Sequence, residues 1–285
     1  PFILRVCNAE KQQTNKTNTM KIKKEMIGLI AGAAMIAPSA QAEVVLTDAL
    51  SLYGYVDMWL DSLDSEGPAD YGVQEVELGF AYSPEAAFSA VVEISLDGSD
   101  AFAGGDEGIN ADFETVTVTY AYSDELSFTI GNMLTYQGFE AFDATGLYQY
   151  SYSGIGGAVL YSAGFAFGAS ADYATEDYSA GFWIGDNGGE PSIEAAFSYT
   201  GIEDLTVKFI YADDPGYETI NLWASYDYGD FTFAAEYVDD DGATDAQTLM
   251  GLVYYAYGDA GLTVRYVTGE FGGIDYDRLT FSPSY

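Results

Sequence analysis

The residues of this chain that offer chemistry are carboxylates. Asp57, Asp61, Glu75, Glu77, Glu93, Asp97, Glu194, Asp227 and Glu236 each stand in a stretch where every second residue is apolar. Three basic side chains, Lys208, Arg265 and Arg278, share that setting. A further group, Tyr136, Phe139, Glu140 and Asp143, lies in a long aromatic segment between two such stretches. Carboxylates collected on one wall concentrate cations and repel anions. Catalysis is a poor fit. The chain has no His, and its one cysteine is Cys7. His-containing triads and His- or Cys-ligated metal sites are therefore excluded from the rest of the chain. A Ser nucleophile would need Lys208 as its base, and no motif surrounds that lysine.

The first 42 residues have a character of their own. Met20-Lys21-Ile22-Lys23-Lys24 is basic, Met26 to Pro38 is a short apolar run, and Ala40-Gln41-Ala42 is an A-x-A cleavage pattern. These predict a secretory signal peptide over 20–42. The apolar run falls short of the ~20 residues a spanning helix needs. Residues 1–19 precede a plausible initiator and carry no hydrophobic period, so they read as upstream, non-native translation. The functional domain is then 43–285. Removing 1–42 takes away six of nine basic residues and two of 45 acidic ones, leaving 43 acids against three bases. Such a surface repels nucleic acid. With Cys7 gone, no disulfide framework exists. Charge this high usually accompanies disorder, but 16% of the residues are aromatic. The charge must be segregated from the apolar surface.

The elements that segregate it are strands. Leu50, Leu52, Gly54, Val56, Met58 and Leu60 share one face, with Tyr55, Asp57 and Asp61 on the other. This alternation marks a strand, with the length of a tilted membrane strand of ~9–11 residues. An acidic loop runs from Asp61 to Asp70. Val76, Leu78, Phe80 and Tyr82 form the next outer face, and Ser83-Pro84-Glu85-Ala86 is a tight turn. Phe88 to Leu96 leads to an acidic loop over 97–112. Val116 to Tyr122 and Leu126 to Ile130 form a hairpin. The aromatic segment at 134–153 is too apolar for a solvated loop and too irregular for a strand, so it needs an interior to pack against. A strand then runs to a short turn at Ser162-Ala163-Gly164, followed by Phe165 to Ala171. Tyr178 to Gly185 fits a strand of its own, but 174–191 is placed in a long loop, because only then do the later short turns stay on one side. Outer faces follow at Ile193 to Tyr199, Leu205 to Tyr211, Ile220 to Tyr226 and Phe231 to Tyr237. Acidic loops lie at 213–218 and from Asp239. Three more outer faces are Met250-Leu252-Tyr254, Leu262-Val264-Tyr266 and Leu279-Phe281. Ser282-Pro283-Ser284-Tyr285 reads as one more short turn.

The prediction is all-β: a transmembrane antiparallel up-and-down barrel with 14 visible strands, 16 in a complete chain truncated here at its C-terminus, and one loop folded inward. Even strand numbers and alternating short and long connections suit that architecture. Tyr82, Tyr122, Tyr199, Tyr226 and Tyr257 just before short turns suit an interfacial girdle. A soluble sandwich also alternates, but would have to bury these outward aromatics.

Two stretches carry a family resemblance. Leu50-Ser51-Leu52-Tyr53-Gly54-Tyr55-Val56-Asp57 resembles the first strand of general outer-membrane porins, and Gly131-Asn132-Met133-Leu134-Thr135-Tyr136-Gln137-Gly138-Phe139-Glu140 resembles the segment entering their constriction loop. The resemblance implies a bacterial outer-membrane channel for small hydrophilic solutes and ions. It also implies a bilayer and lipopolysaccharide environment and a homotrimer. General porins set a cluster of arginines against an acidic loop. This chain departs from that pattern, having only three basic residues.

Strand phase then assigns expectations to residues. The nine carboxylates named first, with Lys208, Arg265 and Arg278, point into the lumen and make a cation-preferring pore. The three bases either pair with neighbouring carboxylates or oppose Glu140 and Asp143 across the constriction. Asp239-Asp240-Asp241-Gly242 with Asp245 fails the spacing of an EF-hand, so no metal site or cofactor is expected, only diffuse Ca²⁺ or Mg²⁺ at acidic loops. Tyr148, Tyr150, Tyr152 and Trp223 form either an aromatic sugar track, which would make a substrate-specific channel, or simple packing. A non-conducting structural or adhesive protein is the remaining alternative.

Overall fold

A computed structural model of the chain describes residues 43–61, 70–84, 87–97, 110–140, 146–148, 164–187, 189–242 and 245–284. Residues 1–42, over which a signal peptide and an upstream stretch are expected, and Asp143 lie outside this set. Among the described residues, fifteen strands form one sheet in which every strand pairs antiparallel with its sequence neighbours. They are β1 (Val44–Thr47), β2 (Leu50–Asp61), β3 (Asp70–Tyr82), β4 (Phe88–Asp97), β5 (Asn110–Ala121), β6 (Leu126–Leu134), β7 (Phe165–Ala174) and β8 (Tyr178–Asn187). The rest are β9 (Glu190–Ile202), β10 (Leu205–Asp214), β11 (Tyr217–Tyr228), β12 (Phe231–Gly242), β13 (Ala246–Tyr257), β14 (Ala260–Phe271) and β15 (Ile274–Ser284). No described helix is long and apolar enough to cross a membrane. Inside such a sheet each strand bonds its backbone groups to both neighbours, the pairing on which up-and-down barrels are built.

The period of two splits the sheet into an outer apolar face and an inner polar one. Val56, Leu78, Ile130, Phe209, Leu222, Phe233 and Leu279 are exposed on the outer face. Asp57, Glu77, Glu194, Glu236 and Arg265 are buried on the inner one. Tyr82, Tyr122, Tyr199, Tyr226 and Tyr257 are exposed beside the short turns.

The count of 14 becomes 15, and the differences have physical causes. β1 is only four residues long, too short to show a period, yet Val44 and Val45 pair with Leu52 and Ser51. β8 occupies part of the stretch predicted as a long loop. Its connections are short at both ends, against the expected alternation, and its inner face includes Gly181 and Gly185 beside Trp183. β6 pairs directly with β7, from Leu126↔Tyr173 to Leu134↔Phe165. Among the described residues no strand separates the two. The strand expected before Ser162-Ala163-Gly164 falls in 149–163, which, with Tyr150 and Tyr152, lies outside the described residues.

Long and short connections do not alternate after β7. The supposed acidic loop at 213–218 is a turn at Pro215-Gly216, and Asp239 to Gly242 belong to β12. Their acidity stems from ends of strands rather than from loops. Ser282 to Ser284 are not a turn but part of β15, with Pro283 opposite Leu262. The Gly272-Gly273 turn has positive φ at both residues, 59° and 78°, a geometry that suits the twist of a two-residue hairpin and that glycine adopts freely. One phase is also corrected. Met250 and Leu252 face inward and are buried, while Leu249 and Val253 face outward. The inner face is apolar here because the inserted segment packs on it.

Candidate constriction site

The segment after β6 turns inward and lies along the wall made by β7 to β14. It starts at Thr135, whose hydroxyl donates to Glu194 Oε1 at 2.6 Å, while the Tyr136 N–H donates to Glu194 Oε2 at 2.7 Å. The Tyr136 hydroxyl donates to Asp172 Oδ1 at 2.6 Å, and Ser170 donates to the other oxygen of the same carboxylate. Gly181, opposite Asp172 in the register, makes room for that ring. A Cβ there would sit 2.8 Å from both Tyr136 Cζ and Asp172 Oδ1. Gly138 N–H donates to Asn221 Oδ1 at 2.9 Å, and Phe139 N–H to Glu236 Oε1 at 3.0 Å. The Asn221 amide also donates to Glu236 Oε1.

Two bases complete the attachment. Lys208 Nζ donates to the Tyr136 carbonyl at 2.9 Å and lies over the Tyr136 and Trp223 rings, 5.8 and 5.9 Å from their centroids. Arg265 forms a buried ion pair with Glu140. The second oxygen of Glu140 accepts from the Tyr148 N–H at 3.1 Å, and Thr263 donates to the Tyr148 carbonyl. Thus the segment is pinned at both ends of its described part. A buried pair of this kind gives position more than stability, because desolvation offsets most of the attraction.

Below the segment the wall is apolar. Ala234, Val238, Met250, Leu252 and Val267 form a buried cluster against which Phe139 and Tyr148 pack. Phe139 stacks on Tyr148, with centroids 5.6 Å apart, and meets Trp223 edge-on at 5.5 Å. Tyr148 meets Tyr254 edge-on at 5.3 Å. Burial and then the nearby Asp172 push the Tyr136 phenol well above its usual pKa; burial and then Asp227 push the Tyr148 phenol up.

The opposite part of the inner face, β2 to β5, is different. Tyr53 donates to Glu93 at 2.6 Å, and Tyr55 to Glu75 at 2.7 Å. Glu75, Glu77 and Glu114 each bring one carboxylate oxygen within 4.8 Å of the others. Glu114 has the parity of the outward Val116, so alternation alone points it to lipid. Between Val92↔Val116 and Ile94↔Phe113 the register slips by one residue. That bulge turns Phe113 out and Glu114 in.

The structure brings Tyr136, Phe139, Glu140, Glu194, Glu236, Lys208 and Arg265 together in one network, and Asp57, Glu75, Glu77 and Glu93 on another wall. Asp227 lies near a strand end, exposed, accepting from Thr232 at 2.6 Å. Arg278 is half-buried on the inner face of β15. Asp61 and Asp97 end β2 and β4, their side chains outside the described set. Arg265 does not face Glu140 across a gap; it touches it. Tyr148 and Trp223 are engaged by Phe139 rather than lined up as a track. Sequence reasoning missed Asp172, Asn221, Thr263 and Gly181. Asp172 was findable, since it alternates with the outward Ala171 and Tyr173. Asn221 and Thr263 carry no charge to mark them.

No protein-family model matches the chain, and no curated protein matches it in sequence. Solved structures do resemble it. OmpF of Salmonella typhi, solved in complex with daunomycin, superimposes with a TM-score of 0.58 at 14% identity, over 86% of this chain and 88% of that one. The fold is that of an outer-membrane porin. Other porin-like barrels align more loosely: Pseudomonas aeruginosa OccK8 at 0.48, with 14% identity over 81% of this chain and 70% of that one. A mutant of Rh. blastica porin gives 0.45, with 17% identity over 82% and 99%. Within the porin fold, the segment from Thr135 is the inserted element.

Proposed function

We propose that this chain forms a water-filled, cation-preferring channel in the bacterial outer membrane, through which small hydrophilic solutes and ions diffuse passively. The observation that carries the reading is a porin fold whose inner face bears many carboxylates and three bases, Lys208, Arg265 and Arg278. Two of those bases, Lys208 and Arg265, are engaged by the inserted segment. Acidic walls raise the local cation concentration and exclude anions. The outer apolar belt and tyrosine rows suit contact with lipid and lipopolysaccharide, and assembly as a homotrimer belongs to the same reading. The test is conductance of the purified protein in a planar bilayer across a KCl gradient. Stepwise openings with a cation-selective reversal potential are expected. A folded, heat-modifiable protein that passes no current would refute the channel, and a reversal potential at zero would refute the preference.

A further inference from the structure

The inserted segment divides the inner face unequally. On the β7 to β14 side, the segment's own donors occupy Asp172, Glu194 and Glu236, and Arg265 pairs with Glu140. Phe139 and Tyr148 cover the apolar cluster beside them. The carboxylates of that side are engaged by the segment, and Lys208 and Arg265 offset part of their charge. On the β2 to β5 side, Glu75, Glu93 and Glu114 are half-buried rather than enclosed. No Lys, Arg or His occurs anywhere from Glu43 to Val207, so β1 to β9 contribute no positive charge of their own. The tyrosine and serine hydroxyls that touch Glu75 and Glu93 orient these carboxylates without adding charge.

We propose that solutes pass between the segment and the β2 to β5 wall, and that Glu75, Glu93 and Glu114, rather than Glu140, set the charge preference. The two bases Lys208 and Arg265 are then positioning residues that clamp the segment. This rests on the channel reading above. It inverts the arrangement of bases against an acidic loop, because here the bases lie under the loop and the acids face it.

The experiment compares bilayer currents of the wild type, the triple variant E75Q/E93Q/E114Q, and a control, D124N/E203Q/D230N, that removes three exposed carboxylates from turns. The cation-over-anion permeability ratio is expected to fall ~threefold or more in the first variant and to stay unchanged in the control. A wild-type ratio in E75Q/E93Q/E114Q would overturn the inference while leaving the channel standing; a wild type without current would instead defeat the channel reading itself. Should the triple variant fail to fold, single cysteines answer the same question. T117C, on the inner face of β5, should be modified by a cationic thiol reagent with a change in current. T248C, beside the apolar cluster, should not. The reverse pattern would place the path on the other side and overturn the proposal.

Discussion

At the scale of single residues, the Glu140–Arg265 pair shows how burial changes the meaning of a charge. Both side chains are almost wholly enclosed, at 1% and 0% exposure. Removing one partner strands the other in a low-dielectric site, which costs about 3–5 kcal/mol. R265M is therefore expected to lower the unfolding free energy from urea titration in lipid vesicles by that amount, and E140L/R265M to recover much of it. Recovery absent in the double variant would mean that the pair itself, not the stranded charge, carries the stability. The phenol of Tyr136 makes a pH prediction. Its folded pKa is raised, so its contribution is complete below the ordinary phenol value of 10.0 and is lost as pH rises above it. Unfolding midpoints should decline more steeply above about pH 10 in the wild type than in Y136F. Equal slopes would show that Tyr136 ionises freely. The sequence made Glu140, Lys208 and Arg265 legible, since charge in a strand of fixed phase is conspicuous. It left Asn221 and Thr263 hidden, because a neutral donor or acceptor on a polar face looks like any other.

At the scale of elements, alternation is informative only while the register is regular. Outer faces such as Ile220-Leu222-Ala224-Tyr226 were readable because nothing interrupts the pairing of β11 with β12. Glu114 was not, because a single extra residue reverses parity. β13 was misread for another reason: Met250 and Leu252 serve an inserted aromatic segment, and hydrophobicity does not say which side needs it. β8 is legible as Tyr178 to Gly185, yet it conflicts with the expected alternation of long and short connections, because its connections are short at both ends. Its inner-face glycines are there for room. G181V should clash with Tyr136, release its bond to Asp172 and expose the segment after Leu134 to added protease. An intact digestion pattern would show that the segment holds by its other anchors alone.

At the scale of the whole molecule, the two faces of the sheet answer to different solvents. Phe209 is exposed on the outer face at mid-strand, and Lys208 beside it faces inward. Placing a lysine at 209 would set an ammonium in hydrocarbon at a cost of roughly 2–4 kcal/mol. F209K should fold into vesicles with correspondingly reduced stability, measured by urea titration. The exposed, turn-proximal Y257K should be nearly neutral. Equal effects at both positions would argue against a hydrocarbon belt at mid-strand on the outer face.

From β7 onward the connections between strands are two or three residues long at both ends. Each strand from there can zip onto its predecessor as a local hairpin, a fast mode of assembly because little chain must be brought together. The inserted segment obeys a different clock. Its ion pair joins residues 125 positions apart, and Arg265 does not reach its place until β14 has joined the sheet. The segment is therefore seated last. A nascent or half-assembled chain should hold an unplugged interior, with Phe139 and Tyr148 as late arrivals whose docking quenches or shifts Trp223 emission after the strands have formed.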